Sequence, residues 1–157
     1  MLCMGVFAAC APPQSAHKTA LSPYFQLLHP CDTIRVEVLE GNERLASCTT
    51  IPNSIFFKEI PQNLLSDIDH IADSSQALVR GYYFFSLNDN ITAFWVETRL
   101  SWFQNHSLFL YDHSKQQYID RITLAEWYGG DGGQVLIGRG VFGYNGDGKW
   151  GIFSKEI

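Results

Sequence analysis

Six residues near the middle of the chain, Ile91-Thr92-Ala93-Phe94-Trp95-Val96, carry apolar groups on both of their alternating sets. A strand points successive side chains to opposite faces, so a strand with this pattern must be covered on both sides. That requirement forces a layered fold around it. The flanking segments can supply the layers. Leu78 to Leu87 is rich in aromatics and breaks at Asn88-Asp89-Asn90, and the apolar pattern resumes from Ile91 to Trp102. Gln104-Asn105-His106 reads as a turn into Ser107-Leu108-Phe109-Leu110-Tyr111, and His113-Ser114-Lys115-Gln116 reads as another, into 117–124. The glycine loop Tyr128-Gly129-Gly130-Asp131-Gly132-Gly133 leads into 134–139, and a last hairpin runs through Asn145-Gly146-Asp147-Gly148 to Phe153. Short strands with polar turns at about ten-residue spacing predict a mainly β fold. The expected architecture is an antiparallel meander forming a sandwich or partly closed barrel.

One helix is expected. Pro61 precedes Leu64, Leu65, Ile68, Ile71 and Ala72, which share one helical face and predict a short α-helix near 61–73. Asp67, Asp69, His70 and Asp73 take the other face and read as a solvated surface rather than a metal site. With 157 residues the chain suits one domain, and 46% hydrophobic content excludes wholesale disorder. Eleven basic against sixteen acidic residues give a charge of −5, which argues against a nucleic-acid partner. No apolar run approaches the roughly 18 residues of a membrane-spanning helix.

The first ten residues are apolar and end in Ala8-Ala9-Cys10. Small residues directly before a cysteine at the end of an apolar run resemble the lipobox of bacterial lipoproteins. Phe7 stands where Leu or Val is usual, and no Lys or Arg precedes the run, which a start codon upstream of Met1 would explain. The resemblance implies a leader remnant over 1–9, removed at maturation, and a diacylglycerol on the Cys10 thiol. Residues 10–20, with Pro12 and Pro13, then read as a lipidated tether, and 21–157 as a single β-rich domain. Ala11 after the cysteine, by the family's sorting rule, implies the outer membrane facing the periplasm. The membrane is then one partner, reached through the lipid.

Four cysteines follow from this reading: Cys3 leaves with the leader, Cys10 takes lipid, and Cys31 and Cys48 remain. In an oxidising compartment that pair is expected to form a disulfide. Ile34, Val36 and Val38 alternate ahead of Gly41-Asn42, which reads as a hairpin that brings the two cysteines together. Strict pairing about that turn sets position 52 opposite Cys31, so a bulge or longer loop is required.

Signals for chemistry are sparse. Gly143 to Gly151 resembles the D-x-N-x-D-G calcium loops of EF-hand-like and integrin-type repeats through Asn145, Asp147 and Gly148. Gly143 and Gly151 occupy positions where acidic ligands belong, so the loop reads as a turn without the ligand set. No nucleophile elbow, zinc-protease motif, phosphate loop or dinucleotide fingerprint is present. Glu97, His106, Asp112, His113 and Glu126 all fall in the β-rich half, with His106 and His113 in expected turns. No catalytic residue, cofactor or metal ligand is assigned. Seventeen of the 22 aromatic residues lie between Tyr82 and Phe153, most of them expected in the core. Trp127-Tyr128, beside the glycine loop, is expected to be exposed and to offer a protein or small molecule an aromatic surface. Sequons at Asn90 and Asn105 are also placed in turns.

These features predict an exported cell-envelope lipoprotein with a binding or structural domain. The alternative is a small periplasmic hydrolase or inhibitor-like domain using the turns around Asp112, His113 and Glu126. Convergence of His106, His113 and an acid in one pocket would favour the second, and their scatter with an exposed patch around Trp127 and Tyr128 the first.

Overall fold

The doubly apolar segment is strand β5 (Ile91–Leu100), and it is central. The computed structural model describes residues 19–28, 34–37, 48–65, 76–129, 135–144 and 150–156. Residues 92 to 98 are all buried, with Phe94 and Val96 in one apolar cluster and Ala93 and Trp95 in the other. β5 pairs antiparallel with β4 (Leu78–Ser86) on one edge and β6 (Phe103–Asp112) on the other. β6 pairs in turn with β7 (Gln117–Gly129), and β7 with β8 (Val135–Tyr144). This is the expected antiparallel meander.

β8 changes partners along its length. Residues 135–137 pair with β7, while 138–144 pair with β9 (Trp150–Glu156). The Tyr144↔Trp150 pairing closes the last hairpin, and its connecting residues 145–149, with the calcium-like Asn145, Asp147 and Gly148, lie outside the described residues. β2 (Ile34–Glu37) pairs antiparallel with β8. Cys31, and the 38–47 half of the hairpin expected there, lie outside the described residues. The outer edge of β4 is capped by β1 (Gln26–Leu27), parallel, and β3 (Thr49–Thr50), antiparallel. The path from β1 to β2 does not close into a barrel among the described residues.

One face of the sheet is covered by the segment before β4. Leu21 and Phe25 from the start of the domain pack there, as do Ile51 and helix α1 (Asn53–Glu59). Phe56 of α1 is fully buried, edge-on to Phe109 at 5.7 Å, and Phe25 meets Phe94 edge-on at 5.0 Å. α1 replaces the expectation of a helix near 61–73 as the described helix. It starts after Pro52 and stops at Ile60, held extended by Pro61 as a residue before proline usually is. Of the 61–73 segment, Gln62–Leu64 forms a 3-10 turn, and the residues from 66 onward lie outside the described set. One turn also shifted. The β5–β6 turn is Ser101-Trp102, so Gln104-Asn105-His106 lies inside a strand. Asn105 is therefore buried, whereas Asn90 sits exposed in the β4–β5 turn.

Gly81 marks where the start of the domain meets the sheet. A Cβ added there would stand 2.5 Å from the Tyr24 carbonyl oxygen and 3.1 Å from the Phe25 ring. The obstruction is backbone, which cannot swing away. Gly81→Ala is expected to destabilise by about 1–3 kcal/mol, read as a lower urea midpoint at an unchanged m-value.

Candidate functional site

Strands β4, β5 and β6 bring one polar group each to the same row of the sheet face opposite α1. Arg80 pairs with Glu97, and Glu97 with His106. Tyr82, Trp95 and Gln104 stand on the same face in neighbouring rows, as strand alternation requires. Glu97 is 1% exposed and lies at the centre. Its Oε2 accepts the Tyr82 hydroxyl at 2.6 Å and Arg80 Nη1 at 3.4 Å, and its Oε1 accepts Gln104 Nε2 at 2.8 Å. Donors therefore surround the carboxylate, the condition under which a buried charge is tolerated.

His106 is fully buried beside this group. Its Nδ1 accepts the Trp95 indole N–H at 3.1 Å, which puts the proton of the neutral ring on Nε2. A second proton would sit on Nδ1 and point at an indole that can only donate. Burial pushes the ring down to about 4, with Glu97 opposing the shift and Arg80 adding to it. Tyr82 lies stacked on Trp95 at 4.7 Å between ring centroids. Its phenol is pushed well above the ordinary range by burial and then by the Glu97 charge it hydrogen-bonds.

Trp127 borders the site from β7, directly across from Gln104. It is half-buried rather than exposed as expected, because it packs against the cluster of Tyr82, Trp95 and Leu108. Its indole nitrogen is buried and has no hydrogen-bond partner. On the other face, Asn105 Nδ2 reaches Glu126 at 3.5 Å and Ser107 donates to Asn105 Oδ1.

The remaining acid–base residues do not join this site. Asp112 begins the β6–β7 turn, where its Oδ1 accepts the Ser114 hydroxyl at 2.6 Å and the Ser114 and Lys115 N–H groups at 2.9 and 3.2 Å. The Ser114 hydroxyl is the main reason its carboxyl is held below the ordinary range. His113 Nε2 lies 2.7 Å from the Thr92 hydroxyl at the same end of the sheet. Glu126 pairs with Asn105 and Gln117 with Asp112, seven positions apart on β6. At roughly 3.3 Å per residue that is about 23 Å. Asp112, His113 and Glu126 cannot act on one substrate atom.

Cys48 is exposed at the start of β3, next to the β4 edge where Arg80 reaches the surface, and it carries no disulfide among the described residues. Cys10 and Cys31 lie outside the described residues, as do Asp67, Asp69, His70 and Asp73. No group of three or more potential metal ligands occurs among the described residues. Sequence reading noted Glu97 and His106 singly and missed Arg80, Tyr82, Trp95 and Gln104 as their partners. The available signal was the alternate set Gln104, His106, Leu108 and Leu110, polar then apolar along one face. No protein-family model, curated protein or solved structure matches this chain.

The buried imidazole makes stability depend on acid. Below an ordinary histidine value of about 6.5, the unfolded chain takes a proton that folded His106 refuses until about pH 4. Stability therefore falls as the pH drops through this window and levels off, for this group, below it. The full loss is about 3 kcal/mol. Denaturant titrations of the native protein and His106→Gln across that range should differ in slope, the variant losing less stability toward acid. Equal slopes would remove His106 as the cause.

Proposed function

We propose that this chain is an exported bacterial cell-envelope lipoprotein whose single β-rich domain works by binding rather than by acid–base catalysis. The binding half of the reading rests on one observation. The acids and histidines are spent on other side chains, Glu97 on Tyr82, Arg80 and Gln104 and His106 on Trp95, or held about 23 Å apart along β6, while Arg80, Gln104 and Trp127 line one sheet face half-buried. A face with aromatic rings, an amide and a guanidinium at partial exposure suits recognition of a small molecule or protein.

The anchoring half rests on the sequence, with support from where packing begins. Thr19 is 9% exposed and Leu21 fully buried, so the chain is already packed at the tether boundary expected at residue 20. Residues 11–18 then separate Cys10 from it, a span of about 28 Å at full extension. Export also brings Cys31 and Cys48 into an oxidising compartment, where we propose they are bridged.

Mass spectrometry of the protein extracted from bacterial membranes tests this reading. The expected mature N-terminus is Cys10 carrying acyl chains, and Cys10→Ala is expected to leave the membrane fraction. The same sample, alkylated before and after reduction, should label Cys31 and Cys48 only after reduction. An unprocessed, unacylated chain would overturn the anchoring. Free thiols on an acylated chain would overturn the bridge alone.

A further inference from the structure

The polar face around Glu97 has more donors than acceptors, and part of the surplus, on Arg80, reaches the accessible rim. Both Glu97 oxygens are already occupied, Oε2 by Tyr82 and Arg80 and Oε1 by Gln104. His106 spends Nδ1 on Trp95. Arg80 carries a fork of five N–H donors yet makes one long hydrogen bond, from Nη1 at 3.4 Å, with its side chain 26% exposed. Trp127 holds a buried indole N–H without a partner. The two unfilled donors share one face, because Arg80 reaches Glu97, Glu97 holds Gln104, and Gln104 stands directly across from Trp127.

We propose that this face is a binding site for a small ring-bearing anion, with its oxyanion group on the Arg80 fork and its body against Trp127. The inference rests on the binding-domain reading above and names the ligand class of that site. Two physical arguments select the ligand. A planar guanidinium with open N–H groups matches the paired oxygens of a carboxylate or phosphate better than any neutral group. Trp127 is half-buried, so part of its ring is open on this face, and Trp stacks readily on a ligand ring. The geometry sets the size. Arg80 extends from β4 over β5 to meet Glu97, and Trp127 stands two strands beyond on β7. Two strand spacings and a two-residue offset along the strands combine to about 12 Å, the length of a substituted sugar ring with a charged group at one end. The site is selective for one sign, because Glu97 is already fully donated to and has no vacancy for a cation.

Glucuronate and glucose 6-phosphate are the probes, and glucose is their neutral counterpart. The readout is the indole N–H resonance of Trp127 in the full chain, assigned by its loss in Trp127→Phe. Either anion is expected to move that resonance saturably in the millimolar range, and which of them binds tighter identifies the oxyanion. Arg80→Gln is expected to weaken binding by about tenfold or more. Arg80→Lys, which keeps the charge and loses the fork, is expected to fall between. The other indole resonances report whether each variant keeps its fold, and Arg80→Lys serves if Arg80→Gln does not. No movement with either anion, or binding indifferent to both Arg80 variants, overturns the proposal. Glucose binding as well as the anions overturns the assignment of charge while leaving the binding-domain reading in place.

Discussion

A single buried carboxylate sets the terms for one half of this sheet. Taking Glu97 out of water costs several kcal/mol unless donors replace the lost hydration. The replacements come from three strands: Tyr82 and Arg80 from β4, and Gln104 from β6. Those donors reach Glu97 only if the registers Arg80↔Glu97 and Glu97↔His106 hold. A slip of one residue on either side would turn Tyr82 or Gln104 to the opposite face and strand the charge. The apolar pattern of β5 cannot impose that register, since both of its alternate sets are apolar. The polar network thus selects among pairings that hydrophobic burial alone would leave nearly equivalent.

The same arrangement explains why both faces need separate cover. β5 is buried along residues 92–98, so each face requires its own layer. On the face away from Glu97 the layer comes from early in the chain, with Leu21, Phe25, Ile51 and Phe56. Gly81 lets that layer approach the sheet backbone, with Tyr24 and Phe25 filling the space a side chain would take. The outer edge of β4 is closed by the two short strands that flank this layer, with backbone bonds from Leu28 to Phe84 and from Ile51 to Val79, each 2.9 Å. Covering the face and blocking the edge are one structural event. An unpaired β4 edge would otherwise invite association with another chain.

The meander was readable because its punctuation is local. Asn88-Asp89-Asn90 and His113 to Gln116 are turns in sequence and in structure, the first with Asn88 Oδ1 accepting two backbone N–H groups and the second built on Asp112. Helix α1 was not readable, because seven residues give too little periodicity and only its bounding prolines, Pro52 and Pro61, announce it. The candidate site failed to appear for a different reason. Gln104-Asn105-His106 has turn-like polarity, yet each of the three is used inside the sheet. Local polarity marks a turn only where water is the partner, and here Gln104 is bonded to Glu97, His106 to Trp95 and Asn105 to Glu126. The pairing of β2 with β8 crosses about a hundred residues and leaves no local trace. Nonlocal pairing is a property of the assembled sheet.

The site and the first described residue, Thr19, lie on opposite faces of the sheet and toward different ends of it. Thr19, the first described residue, packs beside Tyr118 with their hydroxyls 3.4 Å apart. Tyr118 pairs with Tyr111 near the β6–β7 turn, on the face covered by α1. Glu97 and His106 occupy the other face, and His106 stands five positions back along β6 from Tyr111, about 16 Å at strand spacing. In the proposed anchored form, the chain would join the domain at Thr19, on the α1 face near the β6–β7 end, with Arg80 and Trp127 on the other face. That geometry matters for charge. An anionic ligand approaching a bilayer with acidic headgroups is repelled within a Debye length of about 8 Å. A site carried more than one such length from the attachment point can collect it without that penalty, and a tether of at most about 28 Å lengthens the clearance.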